Sequence, residues 1–520
     1  MSIEEVKSSY DCVVIGAGHN GLVCAATLAR SGRSVLVLEA AGQVGGAAST
    51  REFATGFRVS ACAHLLHMLP RALVDELALV RHGLQVASQP MASTALSADG
   101  AHINLGSPGA AVSVEDAAAY GKFMARLRKL AAHLRPALEA APPRLGMSSW
   151  GDRSMLLRLA WQVRSLGRAD MYELLRIIGM NVYDLAEDSF SSDGLRGALA
   201  FDAVLGSNAG PRAPGTVLTW LYRLAAEHGA TAMAQPAGGI GAVSDALAAS
   251  ARAAGVTIRT GARVARVLMR NDRAAGVVLG DGETIEAGGV ISNADPRTTF
   301  LGLLGAEHLD TGFVRRISHF RAKGLTAKLH LALSGAPEFP GLDAAALAGR
   351  LIVAPSLDYI ENAFNPTKYG GFSAAPAMEI VVPSIADAGL APAGQHVLSA
   401  IVQYAPYAPN AGWDAVRSDF QDRIIDTIAA YAPALRQHII AAELLTPPDI
   451  EREFNISGGH WHHGELAFDQ FYMVRPVPGA AQYETPVSGL YLCGAGAHPG
   501  GGVMGLAGRN AARRVLKKVA

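Results

Sequence analysis

Three glycines and one acid carry the clearest chemistry in this 520-residue chain. Gly16, Gly18 and Gly21 stand in the order G-x-G-x-x-G, and Glu39 follows about 20 residues on, where a dinucleotide site places its ribose-binding acid. Gly16 permits a sharp turn, Gly18 lets backbone approach a pyrophosphate without a Cβ in the way, and Gly21 lets a helix pack close on a strand. A carboxylate at position 39 accepts hydrogen bonds from ribose hydroxyls and repels a 2′-phosphate, so NADP is the least suited ligand. Gly45-Gly46 follows in a loop of small residues. A cofactor that continues past its pyrophosphate, as FAD does, needs such a second close backbone approach along the ribityl chain, and this favours FAD.

Other reactive side chains are sparser. Residues 458–465 read Gly-Gly-His-Trp-His-His-Gly-Glu. Neighbours on a turn rarely converge on one ion, and no cysteine or carboxylate sits at a supporting spacing, so no metal is expected there. A loop touching cofactor or substrate and a plain polar turn are both compatible with it. Cys12, Cys24, Cys62 and Cys493 contain no CxxC, which argues against a disulfide scaffold, a zinc site or a dithiol redox centre. No Ser-His-Asp order, paired-carboxylate motif or HExxH points to hydrolysis.

The elements that must position these groups are legible around the glycines. Residues 12–15 read as a strand, 22–30 as a helix and 34–38 as a second strand, closing a βαβ unit whose helix N-terminus faces the phosphates. A strand over 56–60 and a helix beginning at 63–68 follow. Residues 70–235 read as mostly helical, broken at Pro142-Pro143 and at Pro211 to Pro214. Within them, 150–168 mixes tryptophan and leucine with Arg153, Arg158, Arg164 and Arg168. Such a helix can lie on a membrane surface, but one core face and one solvated face is the preferred expectation. The nucleotide fold resumes with a helix over 242–254, strands at 255–259 and 262–268, a hairpin turning at Asp281-Gly282, and a buried strand stopped by Pro296. Gly238-Gly239-Ile240-Gly241 at its start is not a second G-x-G-x-x-G. Over 325–333 apolar and polar residues alternate as in a half-buried strand, with Thr326, Lys328 and His330 on one face. The chain closes with strand, glycine loop and helix over 489–518, whose dipole suits the flavin end of the cofactor.

Length and composition set outer bounds. Two domains are expected at this size. Half the residues are hydrophobic, 17% are charged, and 45 basic residues balance 45 acidic ones, so nucleic acid is not an expected partner. No apolar run is long enough to span a bilayer, and the opening MSIEEVKSSY lacks an apolar core of the signal-peptide kind. The expectation is an intracellular, cytoplasmic protein, with a peripheral membrane contact and a homo-oligomer both compatible.

The glycine fingerprint, Ser292-Asn293-Ala294-Asp295-Pro296, the 458–465 turn and the ending GLYLCGAGAHPGGGVMGLAGRNAA together resemble the FAD-dependent superfamily of phytoene desaturases, retinol saturases and amine oxidases. Within it they are most similar to the group named for a pyridine nucleotide-disulfide oxidoreductase domain, whose eukaryotic members suggest mitochondria. The resemblance implies an α/β fold with a Rossmann-like FAD-binding domain over 1–69, 236–297 and 485–520. A discontinuous α+β substrate or cap domain would take 70–235 and 298–484. It implies FAD contacts at Gly16, Gly18, Gly21, Glu39, Gly45 and Gly46, with Val264 beside adenine and Gly494, Gly496, Gly502, Val503 and Met504 around the ring. Where many relatives carry arginine after the paired glycines and aspartate in the last loop, this chain has Ala47 and Ala497. The implied activity is hydride transfer between flavin N5 and a hydrophobic organic substrate, with oxygen or a quinone as acceptor. An amine oxidase and a flavoprotein module with little turnover are the alternatives. The candidate catalytic groups are Lys328, His463 and His498. The position of Lys328 resembles that of the amine-oxidase lysine that holds a water against flavin N5.

Overall fold

The computed structural model describes residues 9–518 apart from 145, 147, 148 and 231. The strand β1 (Ser9–Ile15), the helix α1 (His19–Arg30) and the strand β2 (Val35–Leu38) form the expected parallel unit, with Val13 opposite Leu36. Cys12, Val13 and Val14 are fully buried, as a strand covered on both faces requires. The helix Leu506–Leu516 lies against α1 so closely that a Cβ on Gly508 would fall 2.0 Å from the Asn20 carbonyl oxygen. Two chain ends nearly 500 residues apart therefore share one layer.

Around β1 and β2 a seven-stranded sheet runs in the order Val264–Arg270, Arg273–Leu279, Thr284–Ser292, β1, β2, Thr257–Arg259, and Leu490–Leu492 adds beside Thr284–Ser292. The β1 and β2 pairings are parallel, whereas the strands between Val264 and Ser292 pair antiparallel, including the expected hairpin. A second seven-stranded sheet runs Ile439–Leu445, Thr326–Leu333, His396–Gln403, Met378–Val381, Arg350–Val353, Ser93–Ala95, Ile103–Asn104. A helical layer that includes Val114–Glu139, Asp193–Val204 and Thr216–Glu227 packs around Phe201, Trp220 and Leu221.

Three expectations are corrected here. No helix begins at 63–68: the chain runs irregularly, because Leu66 exchanges backbone hydrogen bonds with Ala234, and the helix starts only after Pro70, at Arg71–Glu76. The 70–235 stretch is mostly helical and also holds three short strands: Ser93–Ala95 and Ile103–Asn104 join the edge of the second seven-stranded sheet, and Val86–Ser88 pairs with Gln235–Pro236. The helix Trp150–Ser165 buries none of its large apolar residues fully, and only Asp152 is buried. Finally, the alternating strand Thr326–Leu333 is buried along its whole length. Its alternation is real: Ala327, Leu329, Leu331 and Leu333 enter one apolar cluster, while the polar face is covered by residues 61–64, with His330 against the Ala61 carbonyl and Lys328 against His64.

Candidate functional site

The loop between β1 and α1 opens a trough. It is lined by Gly16, Gly18, Glu39, Gly45, Gly46 and Val264, and at its far end by His19, Trp461, His463 and Ala495. Gly45 donates its N–H to the Ala17 carbonyl at 2.9 Å, drawing the second glycine pair against the first loop. A Cβ on Gly18 would stand 2.8 Å from Asn293 Nδ2, and one on Gly21 would stand 2.2 Å from the Gly16 carbonyl oxygen. Gly45 has φ +115°, a backbone state that side chains disfavour. Glu39 accepts the Ala17 N–H at 2.7 Å and the Ala41 N–H at 2.9 Å, which orients its carboxylate and leaves lone pairs on both oxygens.

These features fit a dinucleotide. The N-terminus of α1 has no side-chain cap and no acid in its first turn, so its amides and dipole are available to a diphosphate. His19 Nε2, Asn20 Oδ1 and His463 Nδ1 are buried without a partner. FAD would be held by the two glycine loops at its phosphates, by Glu39 at its ribose and beside Val264 at its adenine end.

A second cavity meets the trough at His19, Ala47 and Trp461, which line both. Apolar residues including Leu65, Met68, Leu205, Ile401, Leu466 and Val503 line it, but one wall is ionic. There Lys328 Nζ lies 2.7 Å from His64 Nδ1, and His64 Nε2 lies 2.7 Å from Glu379 Oε1. Glu379 also takes Arg350; Arg350 reaches Asp202 at 2.6 Å; Arg223 joins Asp202 to Glu227, each at 3.0 Å. His67 completes the series, 3.8 Å from Glu227.

Burial decides the charges along this wall. It lowers His64 to about 4, reinforced by Lys328, so the ring is neutral at pH 7. A neutral ring that meets a carboxylate at Nε2 must donate there, which makes Nδ1 the acceptor for Lys328. Burial also lowers Lys328 to about 7, with Cys62 and Glu379 opposing. It would raise Glu379, but Arg350 and His64 overcome it and hold that carboxyl well below its ordinary range. Burial raises Glu227 against the pull of Arg223.

The histidine-rich turn is pinned by one missed residue. Fully buried Arg475 donates to the carbonyls of His462 at 2.7 Å, Glu465 at 2.7 Å and Ala495 at 2.9 Å, tying the turn to the last glycine loop. Tyr222 Oη donates to the Gly501 carbonyl at 2.6 Å and fixes that loop from the other side. His462 and His463 thus face different spaces, the first the cavity and the second the trough. Burial and the neighbouring basic groups keep both rings neutral at pH 7, His463 at about 4. Burial and His463 likewise lower His19 to about 4.

The candidates therefore divide. Gly16, Gly18, Glu39, Gly45, Gly46, Val264 and His463 line the trough, and Gly502 and Val503 line the cavity. Gly21 acts by close packing. So do Gly494, whose Cβ would meet the Asn293 carbonyl at 2.5 Å, and Gly496, whose Cβ would meet Pro296 at 2.4 Å. Met504 is buried in the helical core. His498 is not among the lining residues: its Nε2 bonds the Ala137 carbonyl at 2.8 Å and its ring packs on Tyr472. Lys328 reaches neither space directly and acts on the cavity only through His64. The four cysteines are free and buried. Sequence reasoning missed His19, His64, Asp202, Arg223, Arg350, Glu379 and Arg475. The one available signal was a lone charge inside an apolar strand, as in Arg350-Leu-Ile-Val and Met378-Glu-Ile-Val.

The sequence profile of flavin containing amine oxidoreductases matches residues 21–516. The chain is 37% identical to pyridine nucleotide-disulfide oxidoreductase domain-containing protein 2 of Mus musculus, over 98% of this chain and 94% of that protein. It is 28% identical to hydroxyneurosporene desaturase of Cereibacter sphaeroides, over 98% of each. Its fold is similar to that of cyclohexylamine oxidase from Brevibacterium oxydans, with a TM-score of 0.55 at 14% identity over 98% of this chain and 99% of that one.

Proposed function

The chain belongs to the flavin containing amine oxidoreductase family and is an FAD-dependent oxidoreductase; from that premise we propose that it exchanges hydride with a hydrophobic organic substrate, using oxygen or a quinone as the second partner. The observation that carries this reading is the meeting of trough and cavity at His19, Ala47 and Trp461. A ligand seated by its phosphates on α1 and a substrate in the apolar part of the cavity would come together there. In this reading segments 1–69, 236–297 and 485–520 bind FAD, and 70–235 and 298–484 close the cavity. Support comes from its lining, which draws His19, Ala47 and Val503 from the first set and Leu205, Ile401 and Trp461 from the second.

Bound FAD supplies the hydride acceptor or donor. The protein supplies orientation and a cavity walled by Leu205, Ile401 and Leu466, which limits the water around the reacting bond. Lys328 can hold or release a proton at Nζ near neutral pH, while its hydrogen bond keeps His64 in one tautomer and one orientation against Glu379. In the proposal Lys328 is a positioning residue, and His463 faces the cofactor. Oxygen or a quinone is favoured over a nicotinamide because the βαβ unit that carries Gly16, Gly18, Gly21 and Glu39 is the one complete dinucleotide fingerprint among the described residues, and in this reading FAD takes it.

An amine substrate draws less support from the wall. Asp202 and Glu379 would attract a cation, but Arg350 already pairs with both, and Arg223 also pairs with Asp202. The test is anaerobic mixing of the FAD-loaded enzyme with a conjugated polyene, an unsaturated long-chain ester and a primary alkylamine, following the visible flavin absorption. Bleaching by an apolar probe is the expected result. Bleaching by the amine alone would move the protein to the amine oxidases, and bleaching by none would refute the substrate class.

A further inference from the structure

The Trp150–Ser165 helix plays no part in either hollow, and its sequence is not that of an ordinary solvated face. Trp150, Leu157 and Trp161 are 81%, 70% and 73% exposed. Spaced i, i+7 and i+11, they form a single stripe along the helix. The opposite side, with Met155, Leu156, Leu159 and Val163, is the partly buried one, so the helix is seated on the protein with its largest apolar groups outward. The next helix, Arg168–Ile177, adds Tyr172 and Leu175 to the exposed set. Among the described residues, five of the eleven large hydrophobic side chains left exposed fall between 150 and 175, a concentration that scattered surface residues do not produce.

Charge selects the occupant. The exposed side of this helix carries Arg153, Arg158 and Arg164 and no acid. The helix's one carboxylate, Asp152, is buried, where it accepts from Ser149, the Arg144 N–H and Gln482. The face is therefore purely cationic on a chain whose formal net charge is zero. Exposed tryptophan together with arginine is the composition of a helix lying at the boundary between headgroups and acyl chains. At 16 residues the helix is too short to cross a bilayer core of about 30 Å, so it would lie in the plane of the surface.

We infer that the exposed face of the Trp150–Ser165 helix is a docking surface for a bilayer containing anionic phospholipid. The tryptophans and Leu157 enter the interfacial region while the arginines meet the headgroup phosphates. This goes beyond the assignment of the cavity and does not depend on turnover.

The test uses the full-length, FAD-loaded protein in sedimentation with two kinds of vesicle, pure phosphatidylcholine and phosphatidylcholine mixed with about one-third phosphatidylglycerol. Binding is expected to the anionic vesicles, with a blue shift in tryptophan emission, and to weaken as salt is raised. Replacing three arginines together, Arg153→Gln, Arg158→Gln and Arg164→Gln, should lower partitioning about 100-fold at low salt. Trp150→Ser with Trp161→Ser should abolish the blue shift and most of the binding. Both variants should keep FAD and the wild-type thermal midpoint, because the altered groups lie on the surface. Failure to bind anionic vesicles, equal binding to phosphatidylcholine, or unaltered binding by either variant would overturn the inference. So would a dimer that Trp150→Ser with Trp161→Ser dissolves, since that outcome assigns the face to a second copy of the chain.

Discussion

Replacing Lys328 by methionine should make the pH dependence of stability change slope, and the structure gives the size of the change. Lys328 is fully buried, and burial lowers it from an ordinary 10.5 to about 7. Between these values the unfolded chain binds a proton that the folded protein does not, so wild-type stability rises with pH across the window. The slope is about 1.4 kcal/mol per pH unit. The charge-burial cost is absent above the unfolded value and grows as pH falls, reaching about 5 kcal/mol in full once pH passes below the folded value near 7. Methionine removes that cost. It also leaves His64 Nδ1 without its donor, a penalty of about 1–3 kcal/mol that does not vary with pH above 7. The variant should therefore be the more stable near pH 6.5, and its advantage should shrink by about 1.4 kcal/mol per pH unit as pH rises above 7, reversing in favour of wild type once pH reaches the unfolded value. The assay is urea unfolding of both proteins at saturating FAD from pH 6.5 to 9.5, read as the difference between them so that shared titrations cancel. A difference that stays constant with pH would refute the reasoning, because Lys328 would then not titrate in this window and the ionic wall would carry another charge.

Three further outcomes test the trough. Glu39→Arg should lose FAD on extensive dialysis, because a cation replaces the acceptor that the Ala17 and Ala41 amides orient; unchanged occupancy would displace the ribose site. Acid precipitation should release all the flavin, since Cys493 is buried and free and no residue is set for attachment; colour remaining on the pellet would contradict this. NADH and NADPH should reduce the flavin slowly or not at all, and stopped-flow reduction at a useful rate would contradict the single-nucleotide reading.

The dinucleotide half of the site could be read in advance because its parts are local. β1, the glycine turn, α1, β2 and Glu39 are consecutive in the chain, and each residue type is demanded by its immediate neighbours. The ionic wall offered no such run. Lys328, Glu379, Arg350, Asp202 and His64 come from five separated segments, and each is locally only a charge or ring in an apolar setting. Residues 63–68 failed for a related reason: their helical composition was overridden by a backbone pairing with Ala234 and by Pro70.

Periodicity reports which side chains share a face, but it is silent on what covers that face, and two elements of this chain show both consequences. In Thr326–Leu333 the alternation was read correctly, yet its polar face lies under the 61–64 segment from more than 260 residues upstream. A lysine there cannot relax into water, so its pKa is lowered and its hydrogen-bond partner, His64, is held in one orientation. In Trp150–Ser165 a core face was expected for the apolar residues, yet nothing among the described residues covers the stripe of Trp150, Leu157 and Trp161, which remains in the open. Each element breaks the rule that polar faces meet water and apolar faces meet the core. Folding alone favours neither arrangement: a buried lysine is costly to keep, and an exposed tryptophan contributes little packing. That is why these two places draw a proposal each, the first through His64, which Lys328 holds against the cavity, and the second as the face proposed to meet lipid.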